Sequence, residues 1–185
     1  MDDNSLMSRV RKGDEHAFRV LVERYRKPVY NFFLRSLDSP EDCEDLAQQV
    51  FIKLYGASYE PREGSSFKSF LYRIATNLLI DHGRKDRTGL SVPFEDSGEG
   101  PEALVRPAAG PDDHAAAAQL RERYRAAHAK LPRDWRTVLD LRVEAGLSYR
   151  EISESTGLSV PAVESILFRA RERLAAELGE FRKTK

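Results

Sequence analysis

Cysteine and histidine are scarce in this sequence. The single cysteine, Cys43, excludes an internal disulfide and a cysteine-based zinc site. The four histidines, His16, His82, His114 and His128, lack the short spacings that metal ligands usually show. We therefore expect no metal site and no cofactor, and each histidine is predicted to be a surface or packing residue.

Long apolar runs and the motifs of catalysis are also missing. The N-terminus, MDDNSLMSRVRKGD, is acidic and polar, and no later stretch is long and uncharged enough to cross a bilayer. The sequence contains no phosphate-binding glycine loop and no catalytic triad. These absences predict a soluble, cytoplasmic protein that has no membrane span and is not an enzyme.

Neither sign of charge is in excess. Lys plus Arg and Asp plus Glu each number 30 among 185 residues, so the molecule has no overall cationic field. Contact with a nucleic acid would therefore need local clusters of positive charge. The length and the charged fraction of 32% are typical of one or two small domains with exposed helices.

The clearest motif lies in residues 147–173, LSYREISESTGLSVPAVESILFRARER. Ser148 and Glu151 have the spacing of a capping box, which predicts the start of a helix. Gly157 can end that helix with a positive φ, and Pro161 is tolerated in the first turn of a second helix. Two short helices joined by a tight turn are typical of a helix-turn-helix that enters the DNA major groove.

Apolar positions can pack these two helices together and leave the polar positions to face DNA. The N-terminal half of the second helix would then approach the base edges. An ordinary helical hairpin with a solvated charged face is the alternative. The predicted DNA-contacting residues are Arg150, Ser159, Ala162, Glu164, Ser165, Arg169, Arg171 and Arg173.

Apolar residues at helical spacing predict three helices near the N-terminus. A short first helix ends before Gly13, and a second begins at about Glu15 and should be kinked or divided at Pro28. Ser39, followed by a proline and two acids, predicts the start of a third helix that ends near Gly56. The polar face of this third helix, taken alone, is typical of a solvated surface.

A basic amphipathic helix is predicted from Phe67 to Arg87. Aromatic and aliphatic residues form its buried stripe, and the remaining face combines cations with an aromatic ring and an amide. Cations attract phosphates and aromatic rings stack on bases, so this face suits single-stranded or distorted DNA. Basic amphipathic helices without such a function are also common.

The composition changes sharply in residues 88–113, TGLSVPFEDSGEGPEALVRPAAGPDD. Prolines and glycines without a sustained period predict a flexible linker, although its apolar residues leave open that it orders against a partner. Beyond it, an Ala-rich helix and a helix anchored by Trp135 precede the helix-turn-helix. We predict an all-α protein with two small helical domains, at residues 1–87 and 114–185.

In this order the parts resemble a bacterial RNA polymerase sigma factor of the extracytoplasmic-function group. The resemblance covers the chain from about Gly13 to Leu178, and its four blocks are FRVLVERYRKPVYNFFLRSL, EDLAQQVFIKLY, FKSFLYRIATNLLIDHGRKD and LPRDWRTVLDLRVEAGLSYREISESTGLSVPAVESILFRARERL. It implies a region 2 domain, a linker and a region 4 domain. Such a factor binds core RNA polymerase and directs promoter-specific transcription initiation.

The resemblance also implies a partner for each element. The third helix would bind the β′ coiled coil of polymerase, the basic helix would capture flipped bases of the -10 element, and the helix-turn-helix would read the -35 element. Region 4 would contact the β subunit, and an anti-sigma factor would cover these surfaces. The implied polymerase-binding residues are Glu44, Asp45, Gln48 and Gln49, and the implied -10 residues are Phe67, Lys68, Tyr72, Arg73, Asn77, Arg84 and Lys85.

Three positions depart from the family's pattern. Glu164 and Ile166 stand where similar proteins often carry a cation, and Gln49 replaces a frequent acid. A carboxylate repels phosphates but can accept a hydrogen bond from cytosine N4, so Glu164 could read a base or merely limit affinity.

Two other functions are compatible with part of the sequence. A stand-alone helix-turn-helix regulator would bind a duplex operator as a dimer and without polymerase. The basic helix argues against it, because a duplex-only regulator has no use for a base-trapping face. A helical interaction module that sequesters another protein would make no DNA contact.

Overall fold

The computed structural model describes residues 2–57, 59, 66–86 and 114–180, and these ranges contain eight helices and no strand. The predicted linker at 88–113 lies outside the described residues. The predicted all-α class is confirmed. In chain order the helices are α1 Asp3–Val10, α2 Glu15–Ser36, α3 Pro40–Tyr55, α4 Phe67–Asp86, α5 His114–Ala129, α6 Arg133–Val143, α7 Tyr149–Thr156 and α8 Val160–Glu180.

The predicted helix starts are confirmed by their caps. The side chain of Asp14 accepts a hydrogen bond from the backbone N–H of Ala17 at 3.0 Å, and that of Ser39 accepts one from Asp42 at 3.2 Å. Ser66 caps α4 in the same way, accepting from the N–H of Ser69 at 3.1 Å. Each cap satisfies a backbone donor that the first helical turn leaves without a partner.

The sequence predicts a kink or a division of the helix at Pro28, and the division is wrong, because one helix continues through this exposed residue. Proline removes one backbone hydrogen bond from a helix interior and costs about 3 kcal/mol. Buried side chains on both sides of Pro28, among them Tyr25, Val29 and Phe33, offset that cost. Tertiary packing therefore maintains a helix that local rules would break.

The first four helices pack around aromatic and aliphatic side chains. Leu21 and Phe33 of α2, Leu54 of α3, and Phe67 and Leu71 of α4 are almost fully buried. In the second unit, α8 packs against α5, α6 and α7. Residues from both units form one continuous hydrophobic core.

The helix-turn-helix has the predicted local structure. Ser148 and Glu151 form both hydrogen bonds of the capping box, and Gly157 ends α7 with a φ of 77° in the left-handed region. The hydroxyl of Ser159 accepts from the N–H of Ala162 at 3.3 Å at the start of α8. Residues with a Cβ are strained at the φ of Gly157, so glycine suits this turn.

The two units are in direct contact, which nothing in the sequence indicates. Helix α4 packs along α7, and α2 contacts α6. The Ser66 hydroxyl donates to the Glu151 carboxylate at 2.8 Å, and Arg35 forms an ion pair with Glu144 at 3.2 Å. The predicted basic helix therefore lies between the two halves of the molecule.

Candidate nucleic-acid interface

Contact with the second unit buries one side of α4. Tyr72 is only 3% exposed, whereas its predicted DNA-facing role requires exposure, and Lys68 is half-exposed. The Tyr72 ring packs against Phe32, with ring centroids 5.6 Å apart. The expectation that Tyr72 faces solvent is wrong, because its ring lies between Phe32 of α2 and Glu144 at the end of α6.

The surroundings of Tyr72 keep its phenol neutral. Burial raises the pKa of Tyr72 to about 12, an effect that the Arg35 guanidinium opposes and the Glu144 carboxylate reinforces. The ring borders a cavity of about 240 Å³ between α2 and α6. Its side chain thus belongs to the junction between the units.

Phe67 is also unavailable to a base. It is 1% exposed and packs edge-on against Tyr25, with ring centroids 5.4 Å apart. The ring fills the core of the first unit, which contradicts the exposure that its predicted contact with the -10 element requires. The predicted contacts Arg84 and Lys85 lie in the last turn of α4, where the structure describes the backbone only.

The other side of α4 is exposed and carries three residues suited to single-stranded DNA. Phe70, Arg73 and Asn77 follow one another at helical spacing, and we call them the exposed row. The Arg73 guanidinium lies 5.2 Å from the centre of the Phe70 ring, whose other neighbour is Tyr59 at 4.5 Å between centroids. Its place in the apolar repeat of α4 predicts that Phe70 is buried, but the structure leaves it half-exposed.

The predicted polymerase-binding face of α3 lies at the surface. Glu44, Asp45, Gln48 and Gln49 are all exposed. Ile52 and Tyr55, which sequence analysis missed, continue this face and are 70% and 56% exposed. Their spacing of four and seven residues from Gln48 could have revealed them, since such residues share a helix face. Large apolar side chains this exposed often mark a protein interface.

The DNA-facing surface predicted on α8 is narrower than expected. Ala162 and Ser165 are 4% and 6% exposed, so their predicted projection towards DNA is wrong. Three helices surround α8 and bury a wide face of it, whereas sequence analysis considered packing against α7 alone. Arg150, Ser159, Glu164 and Arg173 are exposed as predicted, and Arg169 and Arg171 are half-exposed.

The outer stripe of α8 contains residues that sequence analysis missed. Val160 and Phe168 are 36% and 37% exposed and lie on the same side as Pro161 and Glu164. The nearby Arg150 forms an ion pair with Glu154 at 3.3 Å. That pair is largely exposed and contributes little, so the guanidinium could exchange the carboxylate for a phosphate.

The described residues contain no group of His, Cys, Asp and Glu side chains that could hold a metal ion. None of the described helices has the length and apolar character needed to span a membrane. Cys43 is buried, and burial raises the pKa of its thiol, which disfavours the reactive thiolate.

Comparisons with known proteins agree with this architecture. The Sigma-70 region 2 family matches residues 21–88, and the Sigma-70 region 4 family matches residues 117–174. The RNA polymerase sigma-H factor of Pseudomonas aeruginosa is 34% identical over 93% of this chain and 91% of its own length. The ECF RNA polymerase sigma-E factor of Escherichia coli is 34% identical over 94% of this chain and 93% of its own.

The fold is also similar to a solved structure of CnrH in complex with the cytosolic domain of CnrY. The TM-score is 0.66 and the identity 26%, and the match covers 96% of this chain and 97% of that one. Two helical units, a capped helix-turn-helix in the second of them and relatives similar along nearly their whole length lead to one conclusion: the chain belongs to the extracytoplasmic-function RNA polymerase sigma factors.

Proposed function

We propose that this sigma factor binds core RNA polymerase through the exposed face of α3 and reads promoters with two helices. Helix α4 captures unpaired bases of the -10 element, and α8 reads the -35 element in duplex DNA. The observation that carries this proposal is the exposed row on α4. It presents an aromatic ring, a cation and an amide on one accessible face.

Each member of the exposed row has a distinct role in base capture. When Arg73 turns from the Phe70 ring to the adjacent phosphate, it uncovers a ring face on which a base can stack, and the Asn77 amide can pair with a base edge. Stacking contributes about 1–3 kcal/mol per base, and extruding a base from the duplex costs a few kcal/mol. Binding energy on this face can therefore offset melting without nucleotide hydrolysis.

Helix α3 supplies the polymerase contact in this proposal. Its acids and amides, Glu44, Asp45, Gln48 and Gln49, would meet the β′ coiled coil, and Ile52 would be buried in the complex. The region 4 unit would contact the β subunit. An anti-sigma factor would inhibit by covering the same surfaces. The place of action would be the cytoplasm, and the factor itself would not be an enzyme.

The direct test is run-off transcription with core polymerase, this protein and a genomic promoter pool. We expect initiation at discrete sites that depends on the added protein. Arg73→Ala should reduce the yield, whereas Arg125→Ala, an exposed arginine of α5, should leave it unchanged. Binding of duplex DNA without polymerase, together with inactivity across the pool, would identify a stand-alone regulator instead.

A further inference from the structure

The outer stripe of α8 presents an unusual combination of side chains for a DNA-reading helix. Val160, Pro161, Glu164 and Phe168 are exposed, and the positions between them are buried. Within the first two turns, the only charge on this stripe is negative. Any duplex that α8 enters would therefore meet a carboxylate flanked by apolar groups.

The carboxylate of Glu164 has no compensating partner among the described residues. It takes part in no hydrogen bond or ion pair there, and it is solvent-exposed. Beside the phosphates of a duplex, such a group costs affinity unless it accepts hydrogen bonds from a base. The half-exposed Arg169 and Arg171 further along α8 can meet phosphates and retain general attraction.

Major-groove chemistry selects one base for this acceptor. Cytosine presents the N4 amino donor, and guanine presents only acceptors. Adenine also carries an amino group, but its N7 acceptor lies beside it and would repel the second oxygen of a carboxylate. Thymine offers an acceptor and a methyl group. Cytosine is therefore the base that best fits Glu164.

Phe168 extends the contact by one helical turn. Four residues of an α-helix rise about 6 Å, which is close to two base-pair steps of about 3.4 Å. An apolar side chain in the major groove is complementary to the thymine methyl group. Glu164 and Phe168 can thus contact neighbouring positions of a single element.

We propose that Glu164 reads a cytosine of the -35 element and that Phe168 packs against a thymine methyl group within about two base pairs of it. This assignment rests on the proposed function of α8. It makes Glu164 a specificity-determining residue that selects sequence at the expense of general affinity.

The test is selection of functional promoters by the reconstituted holoenzyme. A promoter that the wild-type holoenzyme transcribes is randomised across its -35 element, and the transcribed sequences are compared with the input. We expect cytosine to be enriched at one position. Glu164→Ala should reduce that preference roughly 5- to 150-fold, and Glu164→Arg should change it to guanine. Phe168→Ala should abolish a thymine preference nearby.

Two further variants separate base reading from charge and from folding. Glu172→Ala removes an exposed acid two turns further along α8 and should leave every base preference unchanged. Glu164→Gln keeps the shape of the side chain and should shift the preference towards adenine, with which an amide forms two hydrogen bonds. Circular dichroism before selection verifies that each variant is folded.

The outcomes distinguish this inference from the proposed function. Retention of the cytosine preference by Glu164→Ala, or a uniform gain in affinity without a change of preference, would overturn the base assignment and leave the sigma factor activity intact. A wild-type holoenzyme that initiates nowhere would overturn both. Loss of preference in Glu172→Ala as well would assign the effect to net charge.

Discussion

At the scale of single residues, Asn77 offers the sharpest test of base capture. Its side chain is exposed on α4, so Asn77→Ala should change the free energy of unfolding by less than about 0.5 kcal/mol. The same change should impair open-complex formation, because an amide that pairs with an unstacked base is lost. Permanganate reactivity of the -10 thymines measures this opening, and unchanged reactivity would remove Asn77 from the interface.

Tyr72 should affect stability in alkaline solution. Its pKa is raised by burial to about 12 in the folded state, above the value near 10 of an unfolded chain. The neutral phenol therefore contributes stability that is fully present below pH 10 and is lost as the pH rises towards 12. The free energy of unfolding, measured in urea, should fall between pH 9 and pH 11.5. This fall should be smaller in Tyr72→Phe than in the wild type by up to roughly 2 kcal/mol. Equal losses in the two proteins would mean that the phenol is not buried in solution.

At the scale of elements, the turn between α7 and α8 depends on Gly157. Its φ of 77° is strained for alanine, so Gly157→Ala should destabilise the protein by about 1 kcal/mol and weaken -35 binding by displacing α8. Gly179 is the matched control, because it is helical and an added Cβ would meet open space. Gly179→Ala should stabilise the protein by about 0.5–1 kcal/mol. Thermal unfolding of the two variants should move in opposite directions.

Helix boundaries were predictable because they depend on a few adjacent residues. The capping box at Ser148 and Glu151, the caps at Asp14 and Ser39, and the turn at Gly157 all involve contacts within five positions of the chain. Packing partners do not follow from such local rules. The sequence gives no sign of where a helix has neighbours on two or three sides.

Errors in the candidate site follow from those hidden neighbours. Tyr72 and Ser165 are polar and would be exposed if their helices packed against only one neighbouring helix. Each of these helices has further neighbours, and both side chains are buried. Conversely, Ile52 and Phe168 are apolar and exposed, because no described element covers them. Charge and helical period predicted where the helices lie, and tertiary contacts determined which of their side chains are accessible.

At the scale of the whole molecule, the contact between the units should respond to charge. Glu144→Lys replaces the Arg35–Glu144 ion pair with a repulsion at a partly exposed site. The contact between the units should weaken by up to about 1 kcal/mol, which raises the ratio of separated to touching units roughly five-fold. The radius of gyration in small-angle scattering should therefore increase. Glu154→Lys, on the solvent side of α7, should have no such effect. Equal radii for both variants and the wild type would show that this pair does not hold the units together.

In the proposed function, promoter binding requires the units to move apart. The two elements are separated by roughly 25 base pairs, or about 85 Å at ~3.4 Å per base pair, whereas α4 and α7 touch.

The carboxylate of Glu151 links the start of α4 to the start of α7. It accepts from Ser148, which caps α7, and also from Ser66, which caps α4. Separating the units transfers one of these hydrogen bonds to water, so the start of each helix is affected by the position of the other. Suppose that a ligand of α4 separates the units and changes the affinity of the helix-turn-helix for its own ligand by some factor. Thermodynamic reciprocity then requires that binding at the helix-turn-helix change the affinity of α4 for its ligand by the same factor. The factor would thus behave as a cooperative pair of readers in which occupancy of one promoter element alters the affinity for the other.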